Sequence, residues 1–101
     1  MSTSGTELRE TFPKSVRISD DSLAADLADG RTITVPLAWF PRLAHASPAE
    51  RENWRLIASG EGIHWPDLDE DISVESLLAG RRSGETQESL SRWLQGRESA
   101  R

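Results

Sequence analysis

The chain has 101 residues, the size of one ordinary domain with a single modest core. Its composition, 36% hydrophobic and 29% charged, is polar for a globular protein, but four tryptophans supply apolar surface that disordered chains usually lack. There are no cysteines, which excludes disulfides, thiolate metal ligands and cysteine nucleophiles.

The net charge of −5 is unevenly distributed. Residues 81–101 carry five arginines against three glutamates, so residues 1–80 keep seven of the twelve basic and fourteen of the seventeen acidic residues, a net charge of −7. Such a body disfavours nucleic acid and favours a protein partner with a basic face. No apolar run approaches the roughly 20 residues of a membrane span, and Met1–Gly5 lacks signal-peptide features, so we expect a cytoplasmic protein without a membrane partner.

Residues 1–12 are rich in Ser and Thr and have no periodicity, so we expect a flexible leader. Apolar residues then alternate through 16–18, 23–27 and 33–37, which predicts three strands in a meander. A three-residue loop with a left-handed Gly30 places Ala25 opposite Ile33, whereas a two-residue turn would mix apolar and polar residues on one face. The longer loop is therefore the predicted register.

Ser47, Pro48 and Glu50 form the pattern of a capped helix start, and Trp54 and Ile57 continue at helical spacing. This pattern predicts a helix from Pro48 that ends near Gly60.

Residues 63–65 are a short strand candidate. The acidic run 67–71 is expected to lead to a helix capped by Ser73 and ended by Gly80. A last amphipathic helix is predicted over 86–95. Its apolar residues Leu90, Trp93 and Leu94 are too few for an isolated helix, so it should dock on its own body or on another chain.

These elements predict an α+β fold: a three- to four-stranded antiparallel meander covered by two short helices, with a C-terminal amphipathic helix as an extension. The predicted domain spans residues 13–80 and the extension residues 81–101. The expected apolar face consists of Ile18, Leu23, Leu27, Ile33, Val35, Trp39, Leu43, Trp54, Ile57 and Leu77.

Trp39, Phe40 and Arg42 have two interpretations. They could form an exposed aromatic anchor at an interface, where Trp and Arg are enriched, or the plug that closes a small core. In the second interpretation Trp39 is expected to be the more buried residue.

His64 and Trp65 precede a run of aspartates, Asp67, Asp69 and Asp71. A calcium loop would need Gly at position 72 and Glu at position 78, where Ile and Leu stand, so an EF-hand is excluded. No nucleophile motif accompanies His64, so we expect a structural histidine, no catalytic residue and no metal or cofactor. The six acidic residues from Glu61 to Glu75 are expected to form an anionic ridge that favours a helix start through the helix dipole, or meets a basic partner.

Several motifs together resemble one bacterial family, the domain of unknown function 2442. They are Asp29-Gly30-Arg31, Val35 to Leu43, Gly62 to Pro66, Leu68 to Ser73 and Leu77 to Gly80. The resemblance implies an α+β fold and no defined activity. Some members carry an added helix-turn-helix domain, and many lie beside another small gene in an arrangement resembling a toxin–antitoxin pair.

Three functions follow as expectations. The first is a non-enzymatic interaction or regulatory module, antitoxin-like, that binds a basic protein through the tryptophan and aspartate residues named above. The second is a homodimeric transcriptional regulator with its Arg-bearing tail at DNA. The third, a hydrolase or metal enzyme built on His64 and the aspartates, ranks last.

Overall fold

The computed structural model describes residues 12–99, which form the predicted α+β fold around one core. The first sheet contains β1 (Pro13–Ile18), β2 (Ser22–Leu27) and β3 (Thr32–Pro36), and the second contains β4 (Arg55–Ile57), β5 (Gly62–Trp65) and β6 (Glu70–Ser73). The helices are α1 (Pro41–Ala44), α2 (Pro48–Glu52), α3 (Val74–Ala79) and α4 (Gln87–Ser99). The predicted leader, residues 1–12, lies outside the described residues apart from Phe12.

The first sheet is the predicted antiparallel meander in the predicted register. Ala25 pairs with Ile33, and Leu23 with Val35. The hairpin closes through a bond from the Leu27 N–H to the Arg31 carbonyl (2.8 Å), and Gly30 has φ +96°. The three-residue loop forms instead of a two-residue turn because it keeps the apolar side chains on one face of the sheet.

The Ser47 capping box is confirmed, but the predicted length of its helix is wrong. The Ser47 side chain accepts from the Glu50 N–H, and Glu50 accepts from the Ser47 N–H. The helix ends at Glu52, where Asn53 leaves helical geometry, and residues 55–57 form β4 against β5. A helix this short has little stability of its own, so the backbone pairing offered by β5 decides the conformation of the next segment.

The predicted fourth strand, residues 63–65, is instead part of the central strand of a separate second sheet. It pairs with β4 on one side and with β6 on the other. The acidic run was expected to lead directly into a helix, but its last residues form β6. The helix after it begins as predicted: Ser73 accepts from the Ser76 N–H, and Gly80 ends α3 with φ +71°.

The second sheet contributes buried residues that sequence patterns did not identify. Leu23, Leu27, Val35, Leu43 and Leu77 are buried as predicted, whereas Ile18, Ile33, Trp39, Trp54 and Ile57 are only partly buried. The larger buried residues outside the predicted apolar face are Leu37, Phe40, Ile63, Trp65, Leu68, Ile72 and Val74. Phe40 is 3% exposed while its neighbour Trp39 is half-buried, the reverse of the expected order. None of the helices within residues 12–99 has the length and apolar composition of a membrane span.

Candidate partner-binding surface

The acidic run begins in the turn between β5 and β6, residues 66–69, which is held firmly in place. Leu68 is fully buried, and its N–H donates to the Trp65 carbonyl (3.2 Å). Asp67 accepts from the Asn53 amide (2.9 Å) at the end of α2. Asp69 has φ +51°, a left-handed conformation that aspartate tolerates better than most residues. The turn therefore presents its carboxylates from a fixed backbone.

The acidic side chains do not form one ridge, because alternate residues of a strand point to opposite faces. In β6, Glu70 pairs with Trp65 on the inner side, while Asp71 lies opposite His64 on the outer side. Asp71 binds the Nδ1 atom of His64, whose side chain is 19% exposed. Of the acidic residues from Glu61 to Glu75 that were predicted to favour a helix start, Glu75 lies in the first turn of α3, whereas the aspartates before it do not.

Arg42 joins the acidic turn to the segment before α4. One guanidinium nitrogen donates to the Leu68 carbonyl (3.0 Å), and Nε binds the Glu85 carboxylate. Its guanidinium also lies over the ring of Trp93, 5.2 Å from the ring centre. Arg42 is therefore tied into the fold by a backbone acceptor, a carboxylate and an aromatic face, and its backbone in α1 is fixed by the buried Leu43.

A polar cleft opens around this arginine. We call it the Glu70 cleft, and it is lined by Arg42, Asp69, Glu70, Ser83, Gly84 and Glu85. The Oε2 atom of Glu70 is buried and has no hydrogen-bond partner among the described residues. A buried acceptor without a donor costs free energy, because it has lost its water without a replacement.

The pKa values of the two glutamates in the cleft are shifted in opposite directions. Burial raises the pKa of Glu70; Arg42 opposes this shift and Glu85 adds to it. The pKa of Glu85 is lowered, first by the hydrogen bond from the Ser89 hydroxyl and then by the one from Arg42. With Asp69 exposed at the rim, the three carboxyl groups outnumber the single arginine, so an additional cation is the group the cleft would attract.

Two of the predicted surface aromatics are in the core. Phe40 is 3% exposed and Trp65 is fully buried, with its indole N–H donating to the Arg51 carbonyl (3.0 Å). Their side chains are therefore not available to a partner. Trp39 is half-buried beneath the Arg82 guanidinium, 5.0 Å from its ring centre. Of the predicted partner-binding residues, only Arg42 and Asp69 line the Glu70 cleft.

The predicted partner helix packs on its own chain. Leu90, Trp93 and Leu94 are half-buried, and the Trp93 ring lies between the guanidinium groups of Arg42 and Arg97, the second 4.5 Å from its centre. Arg97 makes two bonds to Glu50 (3.0 and 2.7 Å). This pair lowers the pKa of Glu50 to about 2. The helix therefore docks by ion pairing and cation–π contact more than by apolar burial.

Sequence reasoning missed Glu70, Ser83 and Glu85. Glu85 is 43 positions from Arg42 along the chain, so no local spacing connects them. Glu70 differs from its acidic neighbours only in the face to which β6 turns it. Among residues 12–99, no three histidine or carboxylate side chains are grouped so that they could hold a metal ion.

Comparison with known proteins gives a family and a fold. Residues 13–83 match the family model described as "Protein of unknown function (DUF2442)". A crystal structure of a protein of unknown function from Rhodospirillum rubrum aligns with a TM-score of 0.61 at 26% identity, covering 78% of this chain and 95% of that one. The solution structure of an uncharacterised protein from Chromobacterium violaceum reaches 0.64 at 21% identity, covering 89% and 83%. No curated protein matches.

Proposed function

Since the chain belongs to the DUF2442 family of proteins of unknown function, as its motifs predicted, we propose that it is a non-enzymatic interaction module. In this proposal the Glu70 cleft receives an arginine or lysine side chain of a protein partner. The arrangement of many family genes, which the sequence resemblance implied, suggests an antitoxin-like role beside a small basic neighbour. The neighbour would then be the protein that carries this side chain.

The observation that carries the proposal is the buried, unpartnered oxygen of Glu70 in a cleft that it shares with Asp69 and Glu85. A guanidinium or ammonium group would supply the missing donor and offset the charge that burial disfavours. Charge-assisted hydrogen bonds of this kind contribute roughly 1.5–3 kcal/mol when water is excluded. The free protein would carry the cost of the unpaired oxygen until the partner binds.

Arginine contacts within the chain favour this proposal over DNA binding by the tail. Arg97 is paired with Glu50, Arg82 lies on Trp39, and Arg81 is 3.9 Å from Glu75. Counterion release requires cations placed on phosphates, and these three already have partners in the fold. The dimeric regulator therefore has weaker support than the interaction module.

The test is a titration of the ¹⁵N-labelled chain with N-acetyl-arginine methylamide, followed by NMR. We expect backbone amide shifts concentrated at Asp69, Glu70 and Ser83 to Glu85. Glu70→Gln should weaken the binding of the arginine probe by about tenfold, since a charged acceptor is lost. The matched control is Glu61→Gln, which neutralises an exposed carboxylate outside the cleft.

Equal weakening by Glu70→Gln and Glu61→Gln would show only a general charge effect and would contradict the proposal. Shifts spread evenly over the surface would do the same. The corresponding acetyl-lysine probe, which has no positive charge, should leave the cleft amides unmoved.

A further inference from the structure

The helix α4 is connected to the Glu70 cleft through Arg42. The Nε atom of Arg42 binds Glu85, in the segment that leads into α4, and its guanidinium lies over the ring of Trp93 in the helix itself. Ser89, in the first turn of α4, donates its hydroxyl to the other carboxylate oxygen of Glu85. The helix therefore holds Arg42 from two sides, through a carboxylate that it anchors and through an aromatic ring.

This arrangement keeps the arginine of the cleft away from the buried acceptor. Arg42 and Glu70 line the same cleft, and Arg42 is the positive charge that opposes the raised pKa of Glu70. The Oε2 atom of Glu70 nevertheless has no donor among the described residues. The hydrogen bonds of Arg42 go to Glu85 and to the Leu68 carbonyl instead. Because a guanidinium carries five N–H donors, Arg42 could supply Glu70 with its missing donor once Glu85 releases it.

The attachment of α4 is modest enough to be reversible. Leu90, Trp93 and Leu94 are only half-buried, and most other residues of the helix are exposed. A 13-residue helix has marginal stability by itself, so its docking contacts decide where it lies. Residues 81–86 before it have no regular secondary structure. Undocking of α4 is therefore a local event that leaves both sheets intact.

We propose that α4 controls the Glu70 cleft by positioning Arg42. With α4 docked, Glu85 and Trp93 hold Arg42 to one side, and the cleft is open to the partner's arginine or lysine side chain. With α4 undocked, Arg42 turns to Glu70, supplies the missing donor and closes the cleft. Partner binding and α4 docking then stabilise each other to the same extent. The inference rests on the proposed function for its ligand and adds the regulation of that site.

The first experiment compares two double variants of the full chain. Trp93→Ala/Arg97→Ala, which we call the undocked variant, removes the polar and cation–π contacts that dock α4. Its control, Arg92→Ala/Gln95→Ala, changes exposed residues of the same helix and removes the same single positive charge. Neither alters a residue that lines the cleft. Hydrogen exchange at Leu94 verifies the undocking, and unchanged amide shifts in the two sheets verify the fold.

The undocked variant should bind N-acetyl-arginine methylamide about tenfold more weakly than the original chain does, because Arg42 then competes for Glu70. The control variant should bind the probe as tightly as the original chain. Equal affinity in the two double variants would overturn the proposal.

A third substitution separates closure by Arg42 from simple loss of the Glu85 carboxylate. Arg42→Gln removes the competing guanidinium. In the undocked variant it should restore the roughly tenfold loss of affinity, whereas in the original chain it should change the affinity by about threefold or less. An equal gain in both backgrounds would mean that Arg42 does not move on undocking, and the proposal would be wrong. If Arg42→Gln does not fold, the reciprocal exchange experiment still decides.

That reciprocal experiment uses the original chain alone. Saturation with the arginine probe should slow hydrogen exchange at the Trp93 and Leu94 amides by up to about tenfold, because binding depletes the undocked state. The uncharged acetyl-lysine probe at the same concentration should leave exchange unchanged. Exchange that does not slow while the arginine probe is bound would contradict the linkage.

Titration of Glu70 followed by ¹³C NMR tests the contact with Arg42 without any ligand. The pKa of Glu70 should be lower in the undocked variant than in the original chain, because the guanidinium then pairs with its carboxylate. Arg42→Gln should raise this pKa more in the undocked variant than in the original chain.

The two readouts distinguish this inference from the proposed function. If the arginine probe does not bind but the pKa of Glu70 changes as expected, the proposed function fails and closure of the cleft by Arg42 stands. If the probe binds, but its affinity and the pKa of Glu70 are the same in the undocked variant and its control, control by α4 fails and the proposed function stands.

Discussion

Glu70 is the residue at which folding and the proposed binding place opposite demands on one side chain. Its Oε2 atom is buried without a donor, and burial raises its pKa. Ionisation therefore costs more in the folded chain than in the unfolded chain. The resulting loss of stability begins as pH rises through the ordinary range of a glutamate and is complete above the raised pKa.

We expect Glu70→Gln to be more stable than the original chain at pH 7 by on the order of 0.5 kcal/mol, a modest value because part of the side chain is screened by water. The difference should shrink near pH 4, where the original glutamate also becomes neutral. Urea unfolding at both pH values measures this, with Glu61→Gln as the exposed control. Destabilisation at pH 7 would mean that ionised Glu70 already has hydrogen-bond donors in the fold. This result would contradict the proposal that its Oε2 atom lacks a donor until a partner binds.

At the scale of elements, α4 is held to the body largely through polar contacts. Arg97 binds Glu50 with two hydrogen bonds and lies on the Trp93 ring. The pKa of Glu50 falls from 4.5 to about 2, and the bond from Arg97 is the largest cause. Because the folded pKa is below the unfolded one, the stabilisation is complete above about pH 4.5 and is lost as pH falls toward 2.

Glu50→Gln should therefore loosen α4 while leaving α2 in place, since glutamine can still accept from the Ser47 N–H of the capping box. Hydrogen exchange at pH 7 is expected to be about threefold faster at the Trp93 and Leu94 amides, as befits a partly exposed ion pair. Lowering the pH of the original chain from 4.5 to 2.5 should reproduce this change after correction for intrinsic exchange. Glu88→Gln is the control, and no change in exchange would show that apolar contacts alone hold the helix.

At the scale of the whole molecule, the charge pattern indicates which class of partner the protein is expected to bind. The net charge is −5, and three of the five arginines in residues 81–101, Arg81, Arg82 and Arg97, contact groups of the same chain. We expect a 20-base-pair duplex to bind with a dissociation constant weaker than about 10⁻⁴ M at 0.15 M salt, measured by fluorescence anisotropy. Binding tighter than about 10⁻⁶ M that falls steeply with added salt would restore the transcriptional regulator as the first hypothesis.

Local sequence patterns were sufficient to predict the structure wherever a few neighbouring residues decide the backbone conformation. The bulged hairpin at Gly30, the Ser47 capping box, the Ser73 cap and the left-handed Gly80 all follow from side chains within four positions of one another. Alternation also identified the first sheet, because its register keeps one face apolar. The family resemblance was visible for the same reason, since its motifs are short and contiguous.

By itself, then, the sequence determined the α+β class, the meander and its register, the helix caps, and a charge balance that suits a basic partner better than nucleic acid. Only the tertiary structure decided that residues 55–57 form a strand, because their partner β5 lies beyond a left-handed turn that no local pattern predicts. It also decided which aromatic residues are buried and which carboxylates share a cleft. Contacts such as Arg42 with Glu85 join distant segments, and their energy depends on packing that spacing along the chain does not encode.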